Sequence, residues 1–123
     1  MIDMADYDLK LRTKKFSLLI IDIVDLLPIK ISTKVISYQL AKSGTSVGAN
    51  YRASLRARSD KEFVSKMNIV LEESDESMFW LEIIQEKKWI NDTIASDALK
   101  EANELTSIFV TILKNTKLRM DKK

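Results

Sequence analysis

Only two glycines and one proline punctuate this chain of 123 residues. A fold built from many short strands needs turn formers every few residues, so the scarcity excludes turn-rich all-β architectures and favours long helices with short connections. Leu, Ile, Ala, Lys and Glu fill the intervals, and 46% of the residues are hydrophobic. A chain of this size forms one domain, residues 1–123, that buries about two thirds of the surface its unfolded form exposes. The expected class is all-α, an antiparallel up-down four-helix bundle.

The punctuation places the helices. The first runs from about Asp6 to Leu27, with Phe16, Leu19, Ile20, Ile23 and Leu27 on one face, and Pro28 stops it by disfavouring helical geometry in the residue before it. A second runs from Ser32 to about Ala57 on the period of Val35, Ile36, Leu40, Val47, Tyr51 and Leu55. In "SDKE", Ser59 reads as an N-cap and Glu62 as the carboxylate that reaches back to it, which starts a third helix ending near Lys88. A fourth follows "WIND" and carries Ala98, Ala102, Leu105, Phe109 and Ile112, in steps of four and three as in a bundle seam.

Both glycines lie inside the second helix, in "LAKSGTSVGANYRASLRARS". A phosphate-binding loop is excluded there, because no strand precedes the glycines and no Gly-Lys-Ser/Thr follows them. A glycine inside a helix costs about 1 kcal/mol against alanine, and close approach of a neighbouring backbone is the usual compensation, so Gly44 and Gly48 are expected to pack. At 100° per residue Leu40, Gly44, Val47 and Tyr51 share one face, Gln39, Ser43, Ser46 and Asn50 form a polar ridge beside it, and Tyr38, Lys42, Thr45, Arg52 and Arg56 make a basic third face.

The composition also removes chemistry. Without cysteine or histidine there is no disulfide framework, no thiolate nucleophile and no imidazole base or ligand. The N-terminal "MIDMADYDLKLRTKK" lacks the order of a secretory signal, so a cytoplasmic location is expected. The longest apolar run, "FSLLIIDIVDLL", contains Asp22 and Asp25 and is too short to span a bilayer, so no membrane association is expected. Net charge is only +2, yet basic groups gather in "KLRTKK", around Arg52 to Lys61 and in "KNTKLRMDKK", against the acidic "EESDE".

That acidic segment is the one candidate catalytic site. Glu72, Glu73 and Glu76 have the E-E-x-x-E spacing that holds Mg²⁺ in all-α nucleoside-triphosphate pyrophosphohydrolases. Those enzymes also carry E-x-x-D on the next helix, where this chain offers Glu101 and Glu104 without the aspartate, so no metal and no cofactor are expected. The same helix has two apolar faces. Phe63, Met67, Val70, Leu71, Met78 and Leu81 form a core stripe, while Ile69, Phe79, Trp80 and Ile83 point to the opposite side. A four-helix bundle has no central helix, so the second face is expected to meet another subunit.

The region Gln39 to Ile84 resembles the signature of the four-helix-bundle proteins encoded in intervening sequences of bacterial 23S rRNA genes, the S23 ribosomal protein type. Gln39-Leu40, Ser43, Thr45-Ser46, the "GAN" ending at Asn50, Arg58-Ser59, Phe63, Lys66, Glu73, Glu76 and Trp80-Leu81 stand at that family's spacing. The resemblance implies an antiparallel bundle that assembles into a ring-like homo-oligomer, commonly a pentamer, without known catalysis. It also implies a relation to the accessory variability proteins of diversity-generating retroelements, whose basic rings bind nucleic acid and a reverse transcriptase. Lys42, where arginine is frequent, and Ser54, near where many members carry glutamate, depart from the pattern.

Two further expectations follow. Ser43, Ser46 and Asn50 are expected to offer hydrogen bonds to Glu73 or Glu76, forming a polar network between the second and third helices. Lys42, Arg52, Arg56, Arg58 and Lys61 are the candidate contacts to RNA or DNA, since arginine forks fit phosphate and a ring would repeat the patch. The alternative is that the arginines pair with the "EESDE" acids of a neighbouring subunit, and a symmetric ring could use both. The function expected is a non-enzymatic oligomeric scaffold that binds nucleic acid, as an accessory to a nucleic-acid-processing protein. The alternatives are a Mg²⁺-dependent phosphohydrolase and a purely structural oligomer.

Overall fold

The computed structural model describes the backbone of residues 4–122 and the side chains of residues 8–122. Four helices account for nearly all of it: α1 (Met4–Leu26), α2 (Ile31–Ser54), α3 (Asp60–Lys87) and α4 (Asp92–Asp121). Among the described residues there is no strand, and no helix is long and apolar enough to cross a membrane.

Local chemistry sets each boundary. α1 stops two residues before Pro28, with a last Leu27 N–H to Val24 carbonyl bond of 3.2 Å. α2 starts one residue earlier than its expected boundary: the buried Thr33 hydroxyl accepts the Lys30 N–H at 2.9 Å and turns its own proton to carbonyls of the preceding link. α2 also ends three residues before the expected Ala57. Arg56 and Ala57 bond back three residues, to Ala53 and Ser54, which tightens the chain into the turn toward α3. Ser59 caps α3 by accepting the Glu62 N–H at 3.0 Å, but the Glu62 carboxylate reaches the Arg58 N–H at 3.3 Å, one residue before the expected partner. Asn91 caps α4 through the Thr93 N–H at 2.8 Å.

Neighbouring helices run antiparallel. Gly44 faces Ile20 while Gly48 faces Thr13 and Ser17, so α2 descends as α1 rises. Between α3 and α4, Asp60 meets Arg119, Ser74 meets Thr106 and Gln85 meets Ser96. The α1–α4 seam is the loosest of the four. Arg12 clamps it, with bonds of 2.9 and 2.6 Å to Glu101 and 2.9 Å to Glu104.

One apolar cluster draws on all four helices, including Phe16, Leu40, Tyr51, Met67, Leu81 and Phe109. Tyr51 and Phe109 stack across it at 6.2 Å. On α3 the buried stripe is Met67, Val70, Ser74, Ser77, Leu81 and Ile84. Phe63, Leu71 and Met78, expected in the stripe, flank it half-buried. Serines take the centre because α3 passes close to both neighbours there: Ser77 lies 3.0 Å from Ser43 on α2, and Ser74 lies 2.6 Å from Thr106 on α4.

Candidate nucleic-acid interface

The core face of α2 turns Leu40, Ser43, Gly44, Val47, Tyr51 and Ser54 inward, which leaves Lys42, Arg52 and Arg56 on solvent. The turn over residues 55–59 then brings Arg58 back beside them. Arg52, Arg56 and Arg58 line a groove of about 510 Å³ between the end of α2 and the start of α3, floored by Ala49 and Ala53. Small side chains at the floor keep it open, and Glu62 and Lys66 close its α3 side. Among the described residues no carboxylate lies within ion-pair distance of the three guanidinium groups; the ion pairs present are those of Arg12 and Arg119. Glu62, the acid in the groove, is turned onto a backbone N–H instead. The site therefore offers unneutralised planar forks, the geometry suited to phosphate oxygens.

Of the five cations expected there, the structure gathers Arg52, Arg56 and Arg58. Lys42 stands more than two turns up α2 beside Glu73, and Lys61, exposed on the first turn of α3, also lies outside the groove. Three cations that were not among the candidate contacts read from the sequence join the arginines. Lys66 lies one turn beyond Glu62 and lines the groove; Lys10 and Lys14 line a second depression of about 360 Å³ on the α1–α2 seam, which shares Ala49 and Arg52 with the first. For Lys10 and Lys14 the signal was present in "KLRTKK", where positions four apart occupy one helix face.

The expected polar network takes a different form. Ser43 meets Ser77 at 3.0 Å, not Glu73 or Glu76. Asn50 donates to the Ser46 carbonyl at 3.0 Å, within its own helix, and Glu76 accepts the Trp80 indole N–H at 3.2 Å. Glu73 stays half-buried. Burial, reinforced by the charges of Glu76 and Glu72, pushes its carboxyl above the usual range, while Lys42 pulls the other way.

Of the acids of the phosphohydrolase alternative, Glu72, Glu73 and Glu76 lie along one turn of α3, and Glu101 and Glu104 face Arg12 from α4. Among the described residues no three carboxylates converge as a metal site would require. Glu101 and Glu104 hold Arg12, whose guanidinium is stabilised in its charged form above all by the hydrogen bond to Glu101.

On the outer side of α3, Phe79 is 54% exposed and Ile69 is at the surface, whereas Trp80 and Ile83 are half-buried. Phe79 and Trp80 meet edge to face at 5.0 Å. Trp80 also packs against its own core, so Phe79 carries most of the exposed ring surface.

A crystal structure of a protein of unknown function from the S23 ribosomal protein family, from Bacteroides thetaiotaomicron VPI-5482, has the same fold. The TM-score is 0.79 at 30% sequence identity, over 85% of this chain and 97% of that one. No curated protein resembles the chain closely enough to count as a relative. Residues 6–111 match the description "23S rRNA-intervening sequence protein", and the chain belongs to that family.

Proposed function

We propose that the protein is a non-enzymatic helical-bundle scaffold that binds nucleic acid through the groove of Arg52, Arg56 and Arg58 and associates with copies of itself through the outer face of α3. The observation that carries the binding half is the convergence of three arginines in one groove, none of them within ion-pair distance of a carboxylate among the described residues, with Glu62 as the acid in the groove. Like charges held together repel, and phosphate relieves that repulsion while releasing counterions from the nucleic acid. The exposed Phe79, beside Trp80 and Ile83, supports the association half, since a desolvated aromatic patch is the usual anchor of an interface. In a ring-like homo-oligomer, a pentamer for example, repetition of the groove would multiply weak contacts. A reverse transcriptase or another nucleic-acid-processing protein is the partner such a scaffold would serve. The engagement of Glu101 and Glu104 by Arg12 argues against the phosphohydrolase alternative.

Replacing Arg52, Arg56 and Arg58 together by glutamine should weaken RNA and DNA binding across sequences, with each lost phosphate contact lowering the salt slope by about 0.7 to 0.9. Mass by sedimentation should not change. Phe79→Glu should do the reverse, dispersing the assembly while helicity persists. If the triple variant falls apart instead, the arginines pair with acids of a neighbouring subunit and the protein is a structural oligomer.

A further inference from the structure

The groove is not isolated. A third depression, of about 610 Å³, opens where the α2–α3 turn meets the last turns of α4, and it shares Arg58 with the groove. The depression on the α1–α2 seam shares Ala49 and Arg52 with the groove's other end. Taken in order, the cations Lys10, Lys14, Arg52, Arg56, Arg58 and Arg119 follow one continuous path that touches all four helices at the same end of the bundle. We propose that this path is a track for the backbone of single-stranded nucleic acid, with its last depression receiving a base. The proposal rests on the nucleic-acid function proposed above and specifies its ligand.

Shape selects the single strand. Helix axes in a bundle lie about 8–10 Å apart, so a path from α1 to α4 takes three such steps around a convex surface. Duplex DNA is stiff over about 150 base pairs and would meet such a surface along a short tangent, reaching one end of the path or the other. A flexible single strand can follow the bend and bring its phosphates past each cation in turn. The last depression differs from the rest in kind. It is lined by the half-buried Phe63 and by Asn115, whose amide offers both a donor and an acceptor, and the Asp60 carboxylate holds the Arg119 guanidinium at 2.9 Å. An aromatic ring next to a basic path is the arrangement on which bases stack. Neither Lys14 nor Arg119 belongs to the central groove, so they report on the track alone.

Fluorescence anisotropy tests this with labelled oligo-dT and oligo-rU and a duplex of equal length, on the unmodified protein, Lys14→Gln and Arg119→Gln. The single strands should bind about tenfold more tightly than the duplex, and Lys14→Gln should weaken them and lower the salt slope by about 0.7. Arg119→Gln should weaken them by removing the guanidinium that offsets the Asp60 carboxylate on the track, with helicity unchanged by circular dichroism in both variants. Equal or tighter binding of the duplex, or full single-strand affinity in both variants, would overturn the track and leave the central groove standing. Competition by poly-glutamate as strong as by unlabelled oligo-dT would overturn it as general polyanion attraction. Failure of the unmodified protein to bind any of the probes at low salt would remove the proposed nucleic-acid function itself.

Discussion

Gly44 sits so close to α1 that a Cβ placed on it would lie 2.7 Å from both γ carbons of Ile20 and 2.9 Å from its Cβ. Those atoms are branched and near the backbone, so little can give way. A Cβ on Gly48 meets fewer atoms, the Ser17 hydroxyl at 2.8 Å and the Thr13 carbonyl at 3.2 Å, although the hydroxyl gives way only by leaving the Thr13 and Gly44 carbonyls to which it donates. Overpacking costs about 1 to 3 kcal/mol against a helix-propensity gain of about 1 kcal/mol, so Gly44→Ala should lower stability in urea titrations and Gly48→Ala should lower it less. Glu73 makes a second residue-scale prediction. Its carboxyl binds protons more tightly in the folded chain, so the ionised form opposes folding, and stability falls as pH rises through the folded value. Glu73→Gln should therefore melt at higher temperature than the parent at neutral pH, and the advantage should vanish in acid below the ordinary carboxyl range. At this scale the glycines were legible, because a glycine pair inside a helical period is costly unless a neighbouring backbone comes close. The partners of Ser43 were not, because the wheel of one helix does not give the rotation of the next, and apolar scoring moved Phe63 and Met78 inward in place of the small serines that close packing requires.

At the scale of elements, Pro28, Ser59 and the step after "WIND" gave nearly correct boundaries because each acts through local backbone chemistry. The end of α3 was less transparent. Lys88 adopts the left-handed conformation at φ 56°, with its N–H on the Gln85 carbonyl at 3.0 Å and the Trp89 N–H on the Ile84 carbonyl at 3.3 Å. This is the double bond of a Schellman ending, usually built on glycine. Here Trp89 packs on the core and holds the turn without one. A non-glycine residue in this region costs about 1 to 2 kcal/mol, against about 0.5 to 1 kcal/mol for the extra freedom glycine loses on folding. Lys88→Gly should thus stabilise the protein by about 0.5 to 1 kcal/mol, seen as a higher denaturation midpoint with an unchanged slope. A lower midpoint would mean that the lysine stem contributes packing that outweighs the strain.

Across the whole molecule the bundle was legible because hydrophobic period and sparse punctuation agree over four long segments. The path of cations was not, since it joins residues from "KLRTKK", "RASLRARS" and "KLRM" that only the packing of the helices brings to one end. The loose α1–α4 seam carries a kinetic consequence. Tight packing joins helices that follow one another in the chain, so most contacts close short loops and folding should be fast, on the order of milliseconds or less. The Arg12 clamp on the α1–α4 seam is among the contacts most distant in sequence, joining residues 89 apart at Glu101 and 92 apart at Glu104. Closing so long a loop pays its entropy late, which places the clamp after the rate-limiting step. In stopped-flow chevrons Arg12→Gln should accelerate unfolding and leave the refolding arm in place, whereas slower refolding would put the meeting of the first and last helices at the start of the folding reaction.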